Sequence, residues 1–329
     1  MLSYIIRRVV LMIPTLVAIS IVSFVIIQLP PGDYLTSMIT AAAAQGETID
    51  PAELARLRER YGLDLPVYEQ YLRWMGNILL HGDFGYSFQW NRPVSELIGQ
   101  RVFLTALLSY SSILFVWAVA LPLGIYAAVR KYSWGDYLTA AFGFIGLATP
   151  DFMLALVLMY VMFAFFNQSV GGLFSPQFVD APWSLAKAWD LLKHIWIPMI
   201  ILGTNGVASL TRIMRANLLD ELHKPYVLTA RAKGLSEPRL ILKYPTRIAI
   251  NPFISGIGGL LPAVLGGETI VAVVLSLPTT GPLLLNALMS QDMYLAGSII
   301  LITSTLAVIG VLLSDLVLAW VDPRIRYER

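Results

Sequence analysis

The chain has 329 residues, 57% of them hydrophobic and 13% charged. That is about half the charged share of a soluble domain, so the composition argues against a water-soluble protein and for a membrane-embedded one. The net charge is only +2, and cysteine is absent, which removes disulfides, iron–sulfur clusters and cysteine zinc sites.

A helix needs about 20 consecutive, mostly apolar residues to cross a bilayer core. Residues 9–29, 103–129, 138–166, 195–213, 252–277 and 296–320 meet this condition. The fourth stretch is the weakest, because Gly203-Thr204-Asn205-Gly206 interrupts it. Arg7 and Arg8 precede the first stretch as they would a signal peptide. Its apolar run is too long for a signal core, however, and Pro30-Pro31-Gly32-Asp33 stands where a small-residue cleavage site would be. It therefore reads as an uncleaved first helix.

Six spans place both termini on one side, and basic residues orient the whole. Fifteen of the 23 lysines and arginines fall on the side of the termini. Six of the others lie in the long loop 30–102, and long loops cross largely regardless of charge. Both termini are expected in the cytoplasm.

The loop after the first span predicts its own helices. Asp50-Pro51-Ala52-Glu53 has the form of an N-cap with proline at N1 and an acid at N3. Leu54, Leu57 and Tyr61 follow at helical spacing, and Gly62 closes the segment. A second amphipathic stretch, 67–80, carries Tyr68, Tyr71, Leu72 and Met75 before a turn at Gly82-Asp83-Phe84-Gly85. These helices form an external cap, as a packing lid or as a docking surface for an external partner. In the second external loop, 167–194, Trp183 and Trp189 read as interfacial anchors.

Three acids fall inside spans: Asp151, Glu268 and Asp315. A charge at mid-bilayer costs about 2.5–3.5 kcal/mol on insertion scales, so each needs a partner, water or a neutral form. Asp315 lies near the cytoplasmic end, with Arg324 and Arg326 close in sequence, which suits snorkelling or an ion pair. Glu268 sits among Gly256, Gly258, Gly259, Gly266 and Gly267, small residues that let backbones approach. It fits a translocation path and a subunit interface equally. Asp151 follows Pro150 and either caps a broken half-helix or lines the same path. Asn205 joins the path candidates.

The segment 228–253 is basic where its surroundings are oily, with Arg231, Lys233, Arg239, Lys243 and Arg247. Residues 222–233 predict a short helix with Pro225 in its first turn. Gly234 suits a left-handed C′ position. Ser236 suits the N-cap of a second helix whose first turn holds Glu237 and Pro238. Leu240, Ile241 and Tyr244 share one face of that helix. The product is a compact knob suited to a groove on a soluble partner, or else an ordinary loop obeying the positive-inside rule. No G-x-x-x-x-G-K-[ST] motif occurs, so this chain lacks that device for binding ATP. His81, His194 and His223 are widely separated and spell no metal site. Nothing in the sequence suggests catalysis or nucleic-acid binding.

The stretch YVLTARAKGLSEPRLIL resembles the cytoplasmic coupling loop of ABC importer permeases, the E-A-A-x-x-x-G region, in the form found in the peptide, nickel and oligosaccharide group. DFGYSFQWNRPVSELI resembles that group's external loop. ALPLGIYAAVRKYSWGDYLTAAFGFIGLATPDFMLAL resembles its second and third spans, and GGETIVAVVLSLPTTGPLLLNALMSQD and LAWVDPRIRY its fifth span and C-terminal end. Ala230 stands for the second alanine of the loop motif and Gly234 for its glycine, while Leu228 and Thr229 stand where many members have glutamate and alanine. Tyr244, Pro245 and Ile248 also depart from the common pattern, and Pro252 matches it.

The resemblance implies an all-α integral membrane protein with six transmembrane helices and the type I ABC importer permease fold. Its parts are a tail and first helix (1–29), an external loop (30–102), a five-helix core (103–320) containing the coupling loop 214–251, and a cytoplasmic tail (321–329). Coupling falls to Tyr226, Thr229, Ala230, Arg231, Ala232, Lys233, Gly234, Leu235 and Ser236. The implied partners are a second homologous permease subunit as a heterodimer, two ATP-binding subunits carrying ATP and Mg, and an extracellular or periplasmic solute-binding protein. No cofactor is expected on this chain. The setting is a bacterial or archaeal inner membrane. Peptides are the leading cargo, with oligosaccharides or a nickel chelate as the alternative. An ion-coupled secondary transporter is the rival class, and a receptor or scaffold without transport is a third reading.

Overall fold

The computed structural model describes residues 2–28, 65–87, 89–168, 170–251, 253–254 and 269–321. The expected helix at 50–62, Pro252, Glu268 and the arginines of the C-terminal tail lie outside these residues. Helices dominate: α1 (Leu2–Gln28), α2 (Val67–His81), α3 (Val94–Val129), α4 (Trp134–Ala148), α5 (Asp151–Phe166), α6 (Leu185–Leu222), α7 (Pro225–Ala232), α8 (Glu237–Lys243), α9 (Pro245–Ala249), α10 (Thr280–Met289) and α11 (Met293–Val321). Two-residue strands β1 (Tyr86–Ser87) and β2 (Arg92–Pro93) form an antiparallel hairpin. Among the described residues, four helices are long and apolar enough to cross a membrane, or five with α4 and α5 taken as one broken span.

The chain divides into two compact units, which share the long helices α3 and α11. One unit comprises 2–104 and 279–308. Here Val94, Ile98, Leu283, Ala287, Leu295, Ala296 and Ile299 form a buried core. Asp292 is wholly buried and accepts hydrogen bonds from Ser87 Oγ (2.5 Å), the Gln89 amide (3.3 Å) and the Leu295 amide (3.2 Å). One carboxylate thus ties the hairpin to the start of α11. The expected turn at 82–85 is present, with Gly82 and Gly85 at positive φ; the hairpin after it is too short to leave a periodic signal. In α2 the residue that turns inward is Trp74, which packs with Tyr71 on Phe24 of α1. Tyr68 and Leu72, read as part of the apolar pattern, are exposed.

The other unit comprises 105–278 and 309–329. Two features differ from the sequence reading. The stretch 138–166 is not one straight span: α4 and α5 meet at Thr149-Pro150 with a bend of 104°, because proline at 150 removes a backbone donor and restricts the residue before it. Conversely, Gly203-Thr204-Asn205-Gly206 does not interrupt its helix. α6 runs unbroken for 38 residues, and the glycines serve close packing instead. A Cβ at Gly203 would lie 2.6 Å from Phe115 Cδ1, and one at Gly206 2.9 Å from Val116 Cγ2, so both glycines let α3 approach. At 1.5 Å per residue α6 is about 57 Å long, well beyond a bilayer core of about 30 Å.

The same crossing is tightest at Gly124, where a Cβ would sit 2.5 Å from Met214 Cβ and 2.9 Å from the Thr211 carbonyl oxygen. A backbone carbonyl cannot rotate away, so Gly124→Ala should destabilise the protein by about 1–3 kcal/mol. Gly99→Ala, with open space around the new methyl, should not. Thermal unfolding in detergent compares the two.

Candidate functional site

Three polar clusters stand along α6. Ser184 caps its N-terminus by accepting from the Lys187 amide. Lys187 is 1% exposed, an unusual place for a lysine. Its ammonium donates to the carbonyls of Val179 (3.2 Å) and Ala181 (2.6 Å) and lies over the rings of Phe174 and Trp183. One turn on, the buried Asp190 accepts from the Ser175 amide and hydroxyl, both at 2.7 Å. Loop 170–184 is therefore wound around a buried cation and a buried anion. Both tryptophans, Trp183 and Trp189, are exposed, and Trp183 also packs under the ammonium of that lysine.

Near the other end of α6, Arg215 grips Asp136 of α4 through Nε (2.7 Å) and Nη2 (2.8 Å). Asp136 is buried and also accepts from the Tyr132 amide, while Ser133 caps α4 by accepting from the Asp136 amide.

Between the two, Asn205 donates from Nδ2 to Asp151 Oδ1 at 2.8 Å. Two of the three path candidates read from the sequence are thus in direct contact. The capping role suggested for Asp151 is not seen: Pro150 takes the N-cap position and no side chain caps α5, so the carboxylate is available to α6. A cleft of about 500 Å³ is lined by residues of α3 to α6 that include Thr149 and Leu154, which flank Asp151 in sequence, and Thr204, which precedes Asn205; Asp151 and Asn205 are not themselves among its lining residues. Asp315 is partly buried on α11.

Beyond Leu222 the chain builds the basic knob. Pro225 opens α7, Gly234 adopts φ +76°, and Ser236 takes the N-cap position of α8 with no side-chain cap bond. The chain then adds a short third helix, α9, that the sequence reading lacked. Val227, Ala230, Leu240 and Ile241 form the knob's core, with Tyr226, Leu235 and Tyr244 packed against it. Tyr226 donates its hydroxyl to Glu221 Oε2 at 2.6 Å; burial and that carboxylate push the phenol well above its ordinary range. Outside, Arg231 pairs with Glu237 across the glycine turn. This hydrogen-bonded contact holds the carboxyl of Glu237 below its ordinary value and raises the guanidinium of Arg231. Of the residues read as coupling, Tyr226, Ala230 and Leu235 serve the core. Thr229, Arg231, Ala232, Lys233, Gly234 and Ser236 face out, with Leu228 among them.

Apolar helices long enough to cross a membrane, an acid–amide pair between α5 and α6, and a basic helical knob at the end of α6 together fit a membrane-embedded transport subunit. The chain belongs to the family described as binding-protein-dependent transport system inner membrane component: that family's model matches residues 120–327, and the model of its N-terminal region matches 1–109. Among relatives, the oligopeptide transport system permease protein AppB of Bacillus subtilis (strain 168) is 37% identical over 329 residues, 99% of this chain and 100% of that protein. The dipeptide transport system permease protein DppB of Escherichia coli (strain K12) is 31% identical over 345 residues, covering all of both chains. The peptidoglycan transport system permease protein YejB of Agrobacterium fabrum is 31% identical over 362 residues, 99% of each. In fold, a chain of the inward-facing MetNI methionine ABC transporter matches with a TM-score of 0.54 at 14% identity, over 69% of this chain and 96% of that one. The protein is therefore a permease of an ABC transport system, a multi-pass inner-membrane transport subunit rather than an enzyme, working with an ATPase and a binding protein.

The Asp136–Arg215 pair should be a strong structural contact. Breaking a fully buried pair costs about 3–5 kcal/mol; with Arg215 partly exposed, Asp136→Asn should cost about 2–3 kcal/mol. A double-mutant cycle with Arg215→Gln, read by thermal unfolding in detergent, should show the double variant little worse than the worse single one.

Proposed function

We propose that this chain forms half of the translocation pathway of an importer for peptides, delivered by a solute-binding protein and driven by two ATP-binding subunits. The cargo assignment rests on full-length kinship with oligopeptide and dipeptide permeases. In this reading the protein has six spans in the type I arrangement, the fifth over residues 252–277, and both termini lie in the cytoplasm. A homologous permease completes a heterodimer. Residues 1–29, 30–102, 103–320 and 321–329 are its parts, with the coupling loop at 214–251. Asp151, Asn205 and Glu268 face the path.

The coupling assignment draws on one observation above the rest. α6 is a single 38-residue helix that carries Asn205 and ends two residues before the knob. Closure of the ATPase subunits on ATP moves the outward residues of α7 and the Gly234 turn, and α6 carries that motion into the membrane. Sugar cargo is the second reading, favoured by the peptidoglycan transport relative. Mass spectrometry of small molecules retained by the co-purified binding protein separates the two. Peptides support the proposal; free oligosaccharides overturn the cargo assignment.

Gly234 offers a test of coupling. It sits at φ +76°, and no heavy atom lies within 4 Å of the point a Cβ would occupy, so a substitution there acts through backbone strain alone. Gly234→Val should raise the ratio of ATP hydrolysed to cargo moved, whereas Gly234→Asn, which tolerates the left-handed region, should stay near wild type. The measurement is paired ATPase and uptake rates in proteoliposomes.

A further inference from the structure

Asp151 is an acid within the apolar stretch 138–166, and among the described residues no cation balances its charge. Its depth follows from α6. Asn205 lies 15 residues from Asp190 and 10 from Arg215, roughly 22 Å and 15 Å along the helix. Asp190 and Arg215 are therefore about 38 Å apart, close to the span between the two polar faces of a bilayer, and the Asp151–Asn205 contact falls between them. Among the described residues no lysine or arginine pairs with Asp151; its partner is the neutral amide of Asn205. An ionised carboxylate has about four acceptor sites, and the amide fills one. The N-terminus of α5, where Asp151 sits, favours negative charge, but a dipole end and one amide do not replace a cation. An acid so placed is a functional site by default, and its missing partner is the question.

The cleft suggests the partner. At about 500 Å³ it lies within the usual range for small-molecule sites. Thr149 and Leu154 line it on either side of Asp151 in sequence, and Thr204 lines it next to Asn205. Seven residues along α6 from Thr204, about 10.5 Å, Thr211 also lines the cleft; it is 5% exposed, and its hydroxyl has no hydrogen-bond partner. Two to three extended residues span that length. The walls between are mainly apolar, which suits varied side chains. A neutral sugar would leave the carboxylate without a counter-charge, whereas an ammonium supplies one.

We propose that the Asp151 carboxylate, oriented by Asn205, is the counter-charge for the α-ammonium group of a peptide in transit, which makes Asp151 a specificity-determining residue for cargo with a free N-terminus. The inference rests on the peptide reading above.

The test uses the complete importer in proteoliposomes, with its binding protein and ATPases, and an equimolar mixture of tripeptides built from Ala, Leu and Phe, free or N-acetylated. Mass spectrometry of the lumen gives uptake per loaded binding protein. Asp151→Asn, which retains a polar partner for Asn205, should lower uptake of the free peptides about tenfold, the loss of one charge-assisted hydrogen bond, and leave the acetylated ones unchanged. Asp151→Glu should keep the preference for free peptides. Undiminished uptake of free peptides by Asp151→Asn would overturn the proposal, as would an equal loss for both mixtures, which marks a structural role. If the binding protein loads only free peptides, the contrast between Asp151→Asn and Asp151→Glu decides: equal rates overturn it. A wild-type complex that moves neither mixture overturns the peptide reading itself, and this inference with it.

Discussion

Hydrocarbon offers a backbone no water to bond to, so a chain that crosses it must satisfy every peptide group internally. In this protein that constraint produces α6, and much of the surrounding unit is arranged along it. A helix about 57 Å long must leave the membrane at both ends, and there the expensive side chains collect. Lys187 and Asp190 organise loop 170–184 at one end; Arg215 holds α4 at the other. Between those ends α6 packs closely on α3 at Gly203 and Gly206, meets α4 where Gly146 faces Thr204, and contacts α5 through Asn205 and Asp151. Along α6 the charged clusters lie toward its ends, whereas the carboxylate that meets it between them is Asp151.

Much of this was legible in the sequence, and the parts that were not share a cause. The knob was readable because its signals are local: proline at the start of α7, glycine at the left-handed turn, serine before α8, and a short apolar face of Leu240 and Ile241. The break at Pro150 was equally local. Gly203 and Gly206 misled because glycine has two uses, as a helix breaker and as a surface for close packing; only Phe115 and Val116 on another helix decide between them. Lys187 counted in the sequence as one more basic residue outside the membrane, since its burial is produced by carbonyls and rings 4 to 13 residues back along the chain. Tyr68 and Leu72 fitted a helical stripe, yet Trp74 is the residue that α1 covers. Asp151 and Asn205 meet across a sequence separation of 54, which no window of periodicity spans.

The contrast between α6 and its two neighbours bears on how a transport stroke would be distributed. α6 is continuous from loop 170–184 to the knob, so a displacement at Leu222 would be delivered to Asn205 without a joint to absorb it. α4 is pinned to the same helix by the bidentate Asp136–Arg215 pair and would move with it near the knob. α5 is different: it begins after Thr149-Pro150, where the chain bends by 104° and the helical ladder is interrupted by the missing proline donor. If α6 and α4 travel together while α5 is hinged at its root, relative motion would concentrate where α6 meets α5. That contact is Asn205 to Asp151. A hydrogen bond of one neutral amide to one carboxylate is worth far less than the paired guanidinium ten residues away, so of the two it is the contact that would yield first.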